Sequence, residues 1–365
     1  MTTPLAEKIK TIIRANGPIS VTDYFALCLA HPEHGYYKTR DPFGRGGDFV
    51  TAPEVSQLFG EMIGVFLVEA WQKHLRPRRA VRIAEIGPGR GTMMADILRV
   101  VIKLAPELYE IADIHLVETS PMLADIQKAT LAAHGDKVTW HQTFDQIPDG
   151  FLLLVGNEFF DAVPIRQFVR TSAGFRERLV GLDSSDQLIF APGAGGVDTA
   201  LLPEGHRDAP LGAIAEIAPA RSGIMAAIAD RLFNSSGTAL FIDYGHLQPG
   251  FGDTLQAVLR HAFDPPLAHP GEADLTSHVD FRALAEMAHA RSVHVNGAMR
   301  QGDFLLELGI AARAGALGAG RDAETQAAIS AAVERLVGYR PGEMGELFKV
   351  LAVSSPEVAL APFGR

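Results

Sequence analysis

Ala84-Glu85-Ile86-Gly87-Pro88-Gly89-Arg90-Gly91-Thr92 decides how this chain is read. It follows a short, mostly apolar run that begins at Ala80 and leads into a helix-like stretch from Met93 to Leu104. An apolar strand, glycines at alternate positions and then a helix describe the first turn of a nucleotide-type α/β fold. Glycine belongs there because the chain must turn sharply and let a ligand approach the backbone with no Cβ in the way. The acid ahead of the first glycine narrows the choice of ligand. A pyrophosphate docks on the amide-rich start of the helix, and a carboxylate at Glu85 would repel it. S-adenosylmethionine carries an ammonium and a sulfonium and no phosphate, so Glu-x-Gly-x-Gly-x-Gly reads as a methyl-donor site. The dinucleotide pattern also wants Gly or Ala at its sixth position, where this chain has Thr92. A dinucleotide-dependent oxidoreductase is the rival reading of this stretch alone.

Outward from that turn, strand and helix patterns alternate. Val81 to Ile86 reads as strand one and Thr92 to Leu104 as its helix. Ile114 to Glu118 reads as strand two, followed by a helix from Pro121. Lys137 to His141 and Phe151 to Val155 read as strands three and four, and Thr238 to Tyr244 as strand five. Val293 to Met299 and Phe348 to Ser354 supply the last two strands, as an antiparallel edge. The repeat predicts a doubly wound, mostly parallel seven-stranded sheet. Ahead of it, residues 3–16 and Val21 to about Ala30 read as helices, and Thr51 is expected to cap one long helix through about His74. Gln167 to Ile189 reads as an antiparallel hairpin. The division expected is a helical region and lid over 1–75, then a donor-binding domain over 76–365 with an insertion at about 165–235.

With 365 residues, 47% hydrophobic and 21% charged, the chain has room for a full core. A net charge of −10 argues against a sequence-independent grip on nucleic acid, which needs clustered basic residues. The single cysteine excludes an internal disulfide and a cysteine-based zinc cluster. No apolar run approaches the roughly 18 residues of a membrane span. Neither a secretory nor a transit pattern opens the sequence, which sets a cytoplasmic expectation. No histidine has ligand spacing, so no metal is expected.

Ligands in such sheets sit beyond the carboxyl ends of the strands. Glu118, at the end of strand two, is the candidate for the ribose hydroxyls, or else a surface acid capping the helix at Ser120-Pro121. Asp145, after strand three, is the candidate for the adenine amino group, with Gln142 and Thr143 as polar neighbours. Strand four runs into Gly156-Asn157-Glu158-Phe159-Phe160-Asp161-Ala162-Val163-Pro164. Asn157 is grouped with the donor. Glu158 and Asp161 are three apart and would share a side on one helical turn. Charge at a strand end beside apolar residues is costly unless a partner or ligand compensates. These acids therefore read as holders of a cationic or amine nucleophile, or else as loop acids that cap the segment after them. In Asp274-Leu275-Thr276-Ser277-His278-Val279-Asp280-Phe281, His278 reads as a proton acceptor or as a structural hydrogen bonder. Phe43 to Glu54, dense in glycine, reads as a lid over the donor or a capped turn.

Several blocks together resemble the MidA family of S-adenosylmethionine-dependent methyltransferases. They are Gly47-Asp48-Phe49-Val50-Thr51-Ala52-Pro53-Glu54-Val55-Ser56-Gln57, the glycine block from Glu85, Asn157 to Pro164, Asp243-Tyr244-Gly245, Asp274 to Phe281 and Met344-Gly345-Glu346-Leu347-Phe348-Lys349-Val350. The resemblance runs from about residue 20 to 355. It implies a Rossmann-like methyltransferase fold and symmetric dimethylation of an arginine in a quinone-module subunit of respiratory complex I, a protein partner. On this reading Glu85, Gly87, Gly89, Gly91, Glu118, Asp145 and Asn157 serve the donor. Glu158 and Asp161 hold the guanidinium, and His278 or Asp280 takes the released proton. Val163 stands where the family pattern leads one to expect Leu. An amine or small-molecule acceptor, and a non-catalytic assembly factor that keeps the donor site, are the alternatives.

Overall fold

The computed structural model describes residues 3–39 and 51–363. Of the expected lid or capped turn, Phe43 to Glu54, residues 43–50 lie outside them. The chain forms two compact units, each built from discontinuous segments. One comprises Val50–Phe159, Met225–Leu247 and Phe281–Arg365; the other comprises Met1–Phe49, Phe160–Ile224 and Gln248–Asp280.

The first unit contains the expected sheet. Its strands are β1 (Val81–Ile86), β2 (Ala112–Val117), β3 (Val138–His141), β4 (Phe151–Asn157), β5 (Gly237–His246), β6 (His294–Arg300) and β7 (Phe348–Ser355). They hydrogen-bond in the order β3-β2-β1-β4-β5-β7-β6. Pairings from β3 through β5 are parallel, whereas β7 runs antiparallel to both neighbours. β4 and nearly all of β5 are buried residue by residue, as strands covered on both faces must be. The chain leaves β1 toward β2 on one side, and β4 lies on its other side. In a sheet of this order, the carboxyl ends of the strands at such a reversal, here β1 and β4, are where a ligand is received.

Helices Gln57–Lys73 and Thr92–Leu104 pack together on one face. A Cβ at Gly60 would come within 2.6 Å of Asp96 Cβ, so only glycine permits this approach. The long helix expected from Thr51 is in fact two. A short helix, Ala52–Val55, ends where Ser56 adopts extended backbone, and Ser56 Oγ accepts from Leu58 N–H to cap Gln57–Lys73. A side-chain cap at Ser56 satisfies an amide that an unbroken helix would have bonded internally.

In the second unit, helices Pro4–Asn16 and Val21–Ala30 share a core with strands from the middle of the chain. Leu5, Ile9, Ile13, Tyr24 and Phe25 pack with Ile165, Val180 and Leu275. Strands Arg166–Thr171 and Gly174–Leu182 form the expected antiparallel pair, extended by Ile214–Ile217 and Leu188–Pro192. Gln256–Leu259 pairs with Ala262–Asp264 and with Asp274–Thr276.

Candidate functional site

Glu85 lies near the end of β1, in register with Leu116 of β2 and Val155 of β4. Apolar neighbours strip its carboxyl of water: the residue is 2% exposed, and burial raises its pKa from 4.5 to about 8. Its Oε2 has no hydrogen-bond partner among the described residues. A buried carboxyl in that state is held neutral until a cation arrives to stabilise its charge. Directly after it, Gly87, Gly89 and Gly91 have φ of +65°, +53° and +79°, a region that side chains disfavour. Gly91 is the N-cap of helix Thr92–Leu104, whose first amides face the loop with no side-chain cap. These features fit S-adenosylmethionine, a donor with a cationic end and no phosphate.

Glu118 extends β2 by one bond, its amide donating to His141 O. Its Oε1 accepts from Ser120 N–H at 2.7 Å, and its Oε2 accepts from Gln127 Nε2 at 3.1 Å. The capping alternative is thus present in the geometry, since Glu118 braces the turn into helix Pro121–Thr130. Ser120 provides the helix cap itself, by accepting from Leu123 N–H. Asp145 is exposed, within a short 3-10 turn (Phe144–Gln146) that follows β3.

At the end of β4, Asn157 Nδ2 donates to Glu158 Oε1 at 3.1 Å. Ala52 N–H reaches the same oxygen at 3.4 Å, which brings the Thr-Ala-Pro-Glu block to β4. Glu54 Oε1 accepts from Thr92 Oγ1 at 2.5 Å, tying that block to the start of the helix after the glycine turn as well. Glu158 has φ of +49°, rare for a side chain with a Cβ, while its amide donates to Ile242 O of β5 at 2.9 Å. The segment is a bend and turn, not the helical turn on which Glu158 and Asp161 were expected to share a side. A left-handed residue at position 158 interrupts any helix there. Backbone held in such a region at a strand end marks a position whose side-chain direction is fixed by its surroundings.

Asp161, His278 and Asp280 belong to the second unit. Asp161 is buried, and its Oδ1 accepts from Ala162 N–H at 2.8 Å. Its carbonyl accepts from Ser277 N–H at 3.2 Å, so the two expected blocks meet through the backbone. Arg221, 2% exposed, completes that junction. Its guanidinium donates to the carbonyls of Asp161, Val163, Ser277 and His278, and to Ser277 Oγ. His278 N–H donates to Thr254 Oγ1, whose hydroxyl donates to half-buried Glu216. Tyr37 hydrogen-bonds Asp274, and burial with the negative charge of Asp274 and Asp161 pushes its phenol pKa well up.

Arg221, Gln127, Thr254 and Tyr37 escaped the sequence reading. Each sits in an ordinary helix or loop pattern, and nothing local distinguishes a buried polar side chain from a solvated one. The strand ends were legible because alternation places them.

Sheet order, glycine turn and buried acid together define a nucleotide-type α/β methyltransferase frame. A family model described as S-adenosyl-L-methionine-dependent methyltransferase matches residues 62–299. The protein arginine methyltransferase NDUFAF7 homolog of Drosophila melanogaster, named as mitochondrial, is 34% identical over 377 residues, covering 96% of this chain and 84% of that protein. Its Mus musculus counterpart is 35% identical over 380 residues, with the same coverage. A crystal structure of a superfamily member from Burkholderia thailandensis, bound to S-adenosyl-homocysteine, is 29% identical. It superposes with a TM-score of 0.86 over 99% of this chain and 94% of that one. The chain belongs to this family of S-adenosyl-L-methionine-dependent methyltransferases. The oxidoreductase rival falls with that result.

The cytoplasmic expectation is corrected by the same comparison, because the curated relatives are mitochondrial by name. Composition and fold do not report compartment: a targeting segment is read by import machinery and leaves no mark on the residues that pack. Among the described residues no helix is long and apolar enough to cross a membrane.

Proposed function

We propose that this methyltransferase acts on an arginine side chain of a protein, with a quinone-module subunit of respiratory complex I as the acceptor. The observation that carries the proposal is Glu158, a carboxylate held at positive φ where β4 meets the donor crevice and fixed by Asn157. The relatives named as protein arginine methyltransferases support it, and the complex I acceptor follows from the family resemblance.

When bound, S-adenosylmethionine supplies a methyl group activated by a sulfonium. In this reading Glu85 receives the donor's ammonium, and the glycine turn admits it close to the backbone. Glu118 accepts from the ribose hydroxyls and Asp145 from the adenine amino group. Glu158 accepts N–H bonds from the guanidinium, whose planar fork suits a carboxylate. That contact fixes one nitrogen for attack and keeps positive charge on the others. Orientation of this kind is worth up to about 7–11 kcal/mol of barrier.

Mass spectrometry of complex I subunits from cells with and without the gene tests the proposal. An arginine peptide heavier by two methyl groups only when the gene is present is the expected result. Labelled methyl transfer to a small amine but to no protein would replace the proposal with the small-molecule alternative. Tight donor binding with no transfer to any acceptor would favour an assembly factor.

A further inference from the structure

The Thr-Ala-Pro-Glu block forms one short helix, Ala52–Val55, in which the amides of Glu54 and Val55 both donate to Thr51 O. Two bonds leave that helix in different directions. The Ala52 N–H donates to Glu158 Oε1 at 3.4 Å, the oxygen that also accepts from Asn157 Nδ2. Two residues on, the Glu54 carboxylate accepts from the Thr92 hydroxyl at 2.5 Å. A hydroxyl donating to a carboxylate makes a short, charge-assisted bond, stronger than one between neutral groups. Thr92 opens helix Thr92–Leu104 directly after Gly91, so this bond lands at the end of the glycine turn. A carboxylate there also meets the positive end of the helix dipole.

The chain after the block is tied to the same helix. Ser56 breaks the backbone into an extended residue, and helix Gln57–Lys73 follows. It packs so closely that a Cβ at Gly64 would stand 2.9 Å from Val100 Cβ. The short helix is therefore referenced twice to Thr92–Leu104, once through packing beyond Ser56 and once through Glu54. Packing sets the distance between the two long helices. The directional bond from Thr92 sets the angle at which the short turn meets Ser56, and with it where the Ala52 amide points. Glu158 is reached by another route, along β4 between its sheet neighbours β1 and β5. The Ala52 amide is where the two routes meet.

We infer that Glu54 is a positioning residue for methyl transfer, carrying the placement of the glycine turn to the Glu158 carboxylate, an assignment that rests on the reading of Glu158 as the acceptor's carboxylate. Glu54 acts through Thr92 on one side and through the Ala52 amide on the other.

Tritium transfer from labelled S-adenosylmethionine into the proteins of a lysate from cells lacking the gene gives the rate at saturating donor and the donor KM. Calorimetry with S-adenosyl-homocysteine gives donor affinity. Glu54→Ala and Thr92→Val each remove one side of the bond. Both are expected to lower the saturated rate about tenfold, while donor KM and S-adenosyl-homocysteine affinity stay within about threefold of the wild type. The double variant is expected to be no slower than the slower single variant, because both changes break one contact. Glu54→Gln keeps an acceptor and Thr92→Ser keeps a hydroxyl, so each is expected to hold most of the rate. A wild-type rate in Glu54→Ala, losses that multiply in the double variant, or a donor affinity that falls as far as the rate would overturn the inference while leaving Glu158 in its role. A saturated rate untouched by Glu158→Gln would remove that role and the inference together. Should Glu54→Ala not fold, the nearly isosteric Thr92→Val carries the same comparison.

Discussion

The guanidinium of Arg221 donates to the carbonyl of His278 at 2.6 Å, and the same group reaches the carbonyls of Asp161 and Val163. Two sequence blocks more than a hundred residues apart are thus held by one buried cation. Arg221→Lys keeps the charge but replaces a rigid fork by a single ammonium on a flexible stem, so several carbonyls lose their donors. A destabilisation of about 2 kcal/mol or more is expected, read as a lower urea midpoint. A midpoint equal to that of the wild type would show that the junction does not depend on the fork.

Donor binding should depend on pH through Glu85. Its carboxyl is neutral below about pH 8 in the free protein, and an incoming ammonium favours the charged form. Affinity is therefore expected to rise by up to about tenfold per pH unit and to level off above about pH 8, with a proton released on binding at pH 7. Titrations in buffers of different ionisation enthalpy count that proton. Glu85→Gln should bind weakly with no such slope.

Stability should carry the opposite sign. A carboxyl whose pKa is raised on folding binds more protons in the folded state between about pH 4.5 and about pH 8. The contribution of Glu85 to stability therefore falls as pH rises through that window. Urea unfolding of the ligand-free protein should show Glu85→Gln gaining on the wild type toward pH 8. A constant difference between the two from pH 5 to pH 8 would contradict the burial of this charge.

Glu158 separates backbone strain from chemistry. Glu158→Gln keeps the backbone and loses the negative charge. Methyl transfer is expected to fall by about 10²-fold or more, with S-adenosyl-homocysteine affinity nearly unchanged. Glu158→Gly is expected to relieve about 1 kcal/mol of left-handed strain while also losing transfer. Chemical denaturation and a labelled-methyl assay on the same samples check both effects.

Gly87 allows neither a Cβ nor the usual φ. At +65° a side chain is strained, and its Cβ would stand 3.0 Å from Phe159 Cδ2, the residue after Glu158. Gly87→Ala should cost about 1–2 kcal/mol of stability and weaken donor binding by displacing the end of β4. Calorimetry and urea unfolding would detect each loss separately.

Much of the unit that carries the seven-stranded sheet was legible because its physics is local. β4 announces itself by an apolar run that ends in a polar residue, Asn157, and the glycine spacing after β1 marks a turn that only glycine makes readily. Glu85 drew notice for a local reason too: a carboxylate at that place disfavours an anionic ligand. The edge pair β6 and β7 also followed from pattern alone. Thr51 misled because Thr-Ala-Pro-Glu does open a helix, whereas the stop at Ser56 depends on which amide its hydroxyl serves.

The sequence by itself determined the class of sheet, the place of the glycine turn and the acid at its rim, since these follow from strand alternation and from the conformations glycine allows. Only tertiary structure decided that helices from the first thirty residues share a core with strands near residue 180, that Glu158 turns out of a helix, and that Arg221 and Gln127 each fasten separate segments. Those outcomes come from burial and from long-range hydrogen bonds, in which a polar side chain is matched to whichever carbonyl or carboxylate the fold brings beside it.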